Sequence, residues 1–278
     1  TSASATAVDN SAPQAIGYSN WMQANRAIIG KTPLNKLAIP GAHDAGMYET
    51  HDTYMQSTDF TNAALVFAPD ADKVKRGLSF LGPIFVRWAK TQDKNFYQQL
   101  NDGVRYFDIR VAIDGNERLA TCHGVYGASL NTILDDVKRF MDENPNEIVI
   151  LGFNHFWDLK YQQQQNKGPG EIEGLRTEKW KLLLDTIEST IGVSRLATDQ
   201  DIATKTLNQL WSGPTRVICN FDMEPPQTRA WTLYKQEEQT WSGDIWRMSD
   251  YQSKTLEKNK IGETTSKFWA MRCCISAS

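Results

Sequence analysis

Only four histidines occur in the sequence, His43, His51, His123 and His155, and three of them stand at the ends of apolar, β-branched runs. His43 follows Leu37-Ala-Ile-Pro-Gly-Ala, His123 closes Arg118-Leu-Ala-Thr-Cys, and His155 follows Ile148-Val-Ile-Leu-Gly-Phe-Asn154. Such runs read as buried strands, and in an α/β barrel the side chains at the C-terminal ends of the strands line one pocket. A lone histidine is more often structural than catalytic. Three at equivalent strand ends point instead to a shared site. The run Val104-Arg-Tyr-Phe-Asp-Ile-Arg-Val111 adds Asp108 and Arg110, which are two residues apart and so share one face of a strand, while Phe107 and Ile109 face outward. A carboxylate and a guanidinium turned into a pocket are costly unless they pair or are used on a substrate. The plain alternative is a structural ion pair at the rim. Two imidazoles and an arginine suffice for phosphodiester chemistry. One imidazole takes a proton from an attacking hydroxyl, the other gives one to the leaving oxygen, and the planar, permanently charged guanidinium neutralises the phosphoryl group. That scheme needs no metal or cofactor. Asp44, beside His43, could orient an imidazole and keep it charged.

These groups need a scaffold, and the hydropathy pattern supplies one. Residues 34–39, 104–113, 118–123, 147–153, 215–221 and 267–275 read as strands buried on both faces or nearly so. Between them, 129–143 carries Leu130, Ile133, Leu134, Val137, Phe140 and Met141 at helical spacing, stopped by Asn144-Pro145, and 92–101 and 178–190 are similar. Strand and helix in alternation predict parallel βα units in a closed barrel or an open doubly wound sheet. Residues 51–90 break the rhythm.

With order and spacing in view, the sequence resembles the X domain of phosphatidylinositol-specific phospholipases C. The resemblance rests on Ile39-Pro-Gly-Ala-His-Asp-Ala-Gly46, Gln99-Leu-Asn-Asp-Gly-Val-Arg-Tyr-Phe-Asp-Ile-Arg110, His123-Gly and Asn144-Pro-Asn-Glu-Ile-Val-Ile-Leu, spread over about 120 residues. Thr206-Leu-Asn-Gln-Leu-Trp211 and Arg216-Val-Ile-Cys-Asn-Phe-Asp222 look like the small members built of the X domain alone. The resemblance implies a single irregular (β/α)8 TIM-type barrel over 16–278, preceded by a polar tail at 1–15. It implies attack of the inositol 2-hydroxyl on the phosphodiester of phosphatidylinositol or a glycosylated anchor, giving diacylglycerol and inositol 1,2-cyclic phosphate. His43 matches the general base, His123 the general acid, Asp44 the acid that supports it in the bacterial branch, and Asp108 the neighbouring acid. Arg110 stands where bacterial enzymes have arginine and calcium-dependent eukaryotic ones a carboxylate, so metal-independent catalysis is expected. Asn154, His155 and Asp222 fall where substrate contacts are expected. The bacterial enzymes orient the base histidine with an aspartate on the last strand. Here 267–275 offers no acid, which leaves Asp222 or Asp250 for that role, or the role unfilled.

Composition narrows the classes. The 278 residues are 40% hydrophobic and 23% charged, which excludes a disordered chain, and the net charge of −3 argues against nucleic acid held by bulk electrostatics. No 18-residue apolar run occurs, so a soluble globular protein is expected rather than a spanning one, and a monomer is the expected state. The tail lacks the basic and apolar regions of a signal peptide. Cys122, Cys219, Cys273 and Cys274 have no metal-ligand spacing, and the first two read as buried free thiols. The basic and aromatic segment at 73–88, with Phe80, Phe85 and Trp88, is a candidate rim resting on a bilayer, as a secreted enzyme peripheral to membranes would need; a buried packing segment is the alternative. Two other functions stay open: a metal-dependent barrel phosphodiesterase, and a headgroup-binding module with a weak or inactive site.

Overall fold

A computed structural model describes residues 17–50, 89–113, 116–123, 125–157, 169–199, 201–221 and 225–234. The expectations for residues 1–15, 73–88, Asp222, Asp250 and 267–275 lie outside them, as does His51. The elements in chain order are two short helices, α1 (Trp21–Ala24) and α2 (Arg26–Ile29), strand β1 (Gly41–Ala42), helix α3 (Phe96–Asn101), strands β2 (Tyr106–Ile113), β3 (Leu119–Cys122) and β4 (Tyr126–Ser129), helix α4 (Leu130–Glu143), strand β5 (Val149–Trp157), helix α5 (Pro169–Ile191), helix α6 (Leu207–Trp211), and strands β6 (Val217–Phe221) and β7 (Leu233–Tyr234). Short 3-10 turns link several of them.

The strands form one mixed sheet in the order β4-β3-β2-β5-β6-β7, with β1 also paired to β2. Strands β1, β5 and β6 run parallel to their neighbours as expected, and β7 extends the parallel set. The hairpin β2-β3-β4 is antiparallel, where only parallel βα units were expected. The described residues thus hold a seven-stranded mixed sheet rather than a closed ring of eight parallel strands. Asp114-Gly115-Asn116, lying between two β-branched runs in the sequence, is the hairpin signal that the alternation of strand and helix overshadowed.

Alternation along the strands sorts their residues into two layers. Phe107, Ile109 and Val111 of β2, Val149, Leu151 and Phe153 of β5, and Val217, Cys219 and Phe221 of β6 pack outward in one cluster with the helices. On α4 the buried residues are Leu130, Ile133, Leu134, Val137, Phe140 and Met141, the stripe read from the sequence. On α5 the buried set is Trp180, Leu183, Leu184, Ile187 and Ile191, again one helical face. The opposite layer holds Tyr106, Ile148, Ile150, Ile218 and Leu233, closed from below by Met22, Leu34, Ile39, Leu207 and Trp211. Both faces of the central strands are therefore dry at the base, which explains their unbroken apolar runs.

A buried ion pair locks that base. Arg105 Nε donates to Glu147 Oε2 at 2.9 Å, and its other nitrogens donate to the carbonyls of Leu100 (2.6 Å), Val104 (2.8 Å) and Ser19 (2.7 Å). Glu147 also accepts from the backbone of Met22 and Gln23. Neither side chain is left with unmatched charge. The cluster ties the N-terminal turn, the entry to β2 and the entry to β5 together.

Two expected elements differ. Residues 34–39 are not a strand: Leu34–Lys36 is a 3-10 turn, and pairing is confined to Gly41–Ala42. Pro33 and Pro40 bracket the segment and cannot donate to a ladder, and the Pro40 carbonyl instead accepts from the backbone of Arg105 and Tyr106. The helix expected from 92 begins at Phe96, because Asn95 caps it in a reciprocal box with Gln98. Thr91 and Gln92, just before it, lie outside any helix and serve the site. Cys219 is a buried free thiol, as expected, and Cys122 is buried as well. No helix among the described residues is long and apolar enough to cross a membrane.

Candidate active site

His43 and His123 meet on one edge of β2 because β1 and β3 share that edge from opposite ends. Strand β1 runs parallel and ends with Ala42 opposite Phe107, so the next residue, His43, comes level with Asp108. Strand β3 runs antiparallel with Thr121 opposite Val111, and its continuation carries His123 down toward the same level. Asp108 and Arg110 point from β2 to the face opposite Phe107 and Ile109. The backbone of Asn154 on β5 is the partner of Arg110, with His155 next to it, while their side chains lie outside the described residues.

Asp44 is the hub. One of its oxygens lies 2.5 Å from Arg110 Nε, and the other lies 3.2 Å from His43 Nε2 and 3.7 Å from His123 Nε2. Its side chain is wholly buried, and its backbone takes a left-handed φ of 45°. That conformation is uncommon outside glycine, and aspartate is one of the few residues that tolerates it. Asp108 stands on the other side of His43, with Oδ2 2.7 Å from Nδ1, and it also accepts from the backbone N–H of Asp44 at 3.2 Å. His123 Nδ1 lies 3.3 Å from the Ala89 carbonyl, a contact that suits an Nδ1–H donor and leaves Nε2 toward Asp44.

Among the described residues the acid beside His43 is Asp108, two residues before Arg110 on the same strand. The sequence pointed instead to Asp222 or Asp250, or to no acid at all, because the last strand carries none; those positions lie outside the described residues. The facing of Asp108 and its closeness in register to His43 follow from strand geometry once the β1–β2 pairing is known.

Proton affinities follow from these contacts. The His43 imidazole is held above its ordinary value, chiefly by the bond to Asp108 and also by the charges of Asp44 and Asp108, while burial and Arg110 act against this. Burial pushes the Asp44 carboxyl up, against the pull of Arg110, His43 and His123.

A strap of residues missed in the sequence holds the turn in place. Gln92 Nε2 donates to the His43 carbonyl at 2.7 Å, and Thr91 Oγ1 donates to the Asp44 carbonyl at 3.0 Å. The backbone N–H groups of Thr91 and Gln92 both reach the Met47 carbonyl, at 3.1 and 3.3 Å. Gln92 read as the first residue of a helix and Thr91 as none, and no sequence signal marks either as a clamp.

One imidazole and two carboxylates, those of His43, Asp44 and Asp108, lie close enough together to hold a cation. Asp44 already neutralises Arg110, however, so a cation entering there would compete with a fixed guanidinium. The donor set fits a divalent ion poorly.

Comparison with known proteins agrees with this geometry. Residues 86–172 match the family model described as "Phosphatidylinositol-specific phospholipase C, X domain". PI-PLC X domain-containing protein 2 of Mus musculus is 27% identical over 202 residues, which are 72% of this chain and 52% of that protein. PI-PLC X domain-containing protein 1 of Homo sapiens is 27% identical over 219 residues, covering 77% and 60%. The Bos taurus protein 3 of the same series is 31% identical over 156 residues, covering 53% and 46%. The chain spans about half the length of these curated relatives. Among solved structures, a phosphatidylinositol-specific phospholipase C of S. aureus is 21% identical with a TM-score of 0.44, over 74% of this chain and 53% of that one. The Listeria monocytogenes enzyme is 20% identical with a TM-score of 0.41, over 74% and 57%. Likeness at that level carries no argument here. Residues 86–172 thus match the phosphatidylinositol-specific phospholipase C X domain, and the curated relatives are named for that same domain.

Proposed function

We propose that this protein is a phosphodiesterase that cleaves phosphatidylinositol, or a glycosylated phosphatidylinositol anchor, at a membrane surface. The observation that carries the proposal is the arrangement of His43, His123 and Arg110 around the one buried carboxylate of Asp44, with Asp108 on the far nitrogen of His43. Neutral His43 keeps its proton on Nδ1, toward Asp108, and takes the proton of the inositol 2-hydroxyl on Nε2, where the Asp44 carboxylate 3.2 Å away stabilises the charge that forms. The hydroxyl oxygen then attacks phosphorus. Arg110 turns its charge to the phosphoryl oxygens, and protonated His123 delivers its Nε2 proton to the departing diacylglycerol oxygen. The new bond is O2–P, the broken bond is P–O of the glycerol, and the products are inositol 1,2-cyclic phosphate and diacylglycerol. Asp44 stabilises positive charge on both His123 and Arg110. The same reading takes the sheet as part of one irregular barrel over residues 16–278, in a secreted monomer peripheral to membranes.

His43→Ala and His123→Ala should each lower turnover of phosphatidylinositol by about 10²–10⁴-fold or more while the protein stays folded. Either variant retaining full turnover would remove the assignment. A second reading, a metal-dependent phosphodiesterase, is favoured only by the three clustered donors at His43, Asp44 and Asp108. Loss of activity on adding a chelator would support it.

A further inference from the structure

Thr121, on β3, lies two residues before His123, which follows the strand's end, and is almost fully buried at 2% exposure. Its hydroxyl is 3.1 Å from the carbonyl of Gly46 and 3.1 Å from that of Ala128. Gly46 lies within the turn that begins at His43. The hydroxyl therefore spans the short gap between the strand ending in His123 and the turn carrying His43 and Asp44. The methyl group is as closely fitted. A Cβ on Gly46 would come within 2.3 Å of Thr121 Cγ2, and one on Gly127 within 2.7 Å of Thr121 Oγ1 and 2.5 Å of Met47 Sδ. Two glycines thus clear the space that this one side chain fills, from the turn on one side and from β4 on the other.

We propose that Thr121 is a positioning residue that fixes the separation of the two imidazoles, tying the strand that ends in His123 to the turn that begins at His43. The inference rests on the reading of these histidines as an acid–base pair. The tie is specific to the hydroxyl rather than needed for folding. The Gly46 carbonyl also accepts from the Ala128 backbone N–H at 3.1 Å, so removing the hydroxyl leaves that buried carbonyl with a partner. Proton transfer, by contrast, depends on sub-ångström placement, and a shift of about 1 Å can cost about 10²-fold.

The test compares Thr121→Val, which keeps the shape and loses the hydroxyl, with Thr121→Ser, which keeps the hydroxyl and loses the methyl. Both are measured by steady-state kinetics on phosphatidylinositol micelles and by the imidazole nitrogen resonances of His43 and His123. The valine variant should remain folded, lose about 10- to 100-fold in kcat with KM nearly unchanged, and show displaced resonances for both imidazoles. The serine variant should keep kcat near wild type, with both resonances in place. Equal losses in the two variants, or a loss in the valine variant with unmoved imidazole resonances, would overturn the proposal. If the wild type turns over no phosphatidylinositol, the catalytic reading fails. The resonances then still decide whether Thr121 sets the imidazole pair.

Discussion

At His43, the carboxylate of Asp108, 2.7 Å from Nδ1, is the largest of the influences that raise the proton affinity of the ring. Because the folded-state value lies above the ordinary 6.5, the neutral, base-competent form accumulates only above that pH. The acid limb of kcat/KM is expected to have its midpoint above 6.5, and Asp108→Asn should move that midpoint down while lowering the plateau. A pH–rate profile of both proteins checks this; an unmoved midpoint would contradict it. The linked stability has a definite sign. A histidine with a raised folded value contributes stability that is fully present below 6.5 and is lost as pH rises through the folded value. Asp44, also raised above its ordinary 3.8, adds a decline of the same sign above that pH. Denaturant unfolding should therefore show stability falling less steeply above pH 6.5 in Asp108→Asn than in wild type. At this scale the sequence was informative about residue types: His43, Asp44, Asp108, Arg110 and His123 all come together. It was silent on partnership, because the contact of Asp108 with His43 joins two strands 65 residues apart and no local spacing encodes it.

Among the elements, the shared edge of β2 matters most, since it brings one histidine from a parallel strand and the other from an antiparallel one. Periodicity marked where the strands lie, and a strand's direction leaves no trace in its hydropathy. The stripe on α4 was legible to the residue because a 14-residue amphipathic helix presents its buried face with a period that nothing local disturbs. The segment before Gly41 was misread because Leu34 and Ile39 are buried as plugs at the base of the sheet, and burial alone looks the same in a plug and in a strand. The same base depends on the Arg105–Glu147 pair. Glu147→Ala would leave the Arg105 guanidinium buried without its counter-charge and remove the acceptor for Met22 and Gln23, at a cost of about 3–5 kcal/mol. Urea denaturation of the variant measures this, and a loss under about 1 kcal/mol would show the clasp to be dispensable.

At the scale of the whole molecule, the described residues form a dry two-layered base that carries a polar mouth of His43, Asp44, Asp108, Arg110 and His123. Composition argued against nucleic acid held by bulk electrostatics, and the fold gathers these groups at the end of the sheet opposite the apolar plug. For a lipid substrate, that mouth must meet a bilayer. Replacing Phe80, Phe85 and Trp88 together by Ala should weaken partitioning onto vesicles containing phosphatidylinositol without altering the unfolding transition. Unchanged partitioning would remove that segment from the membrane contact. The central claim is that two imidazoles and an arginine, with no metal ion, carry out cyclisation. It is tested most directly by phosphorus NMR of the purified protein with phosphatidylinositol micelles, with and without EDTA. The account predicts an inositol 1,2-cyclic phosphate signal that survives EDTA. A folded protein that yields no cyclic phosphate, or yields it only when EDTA is left out, would contradict it.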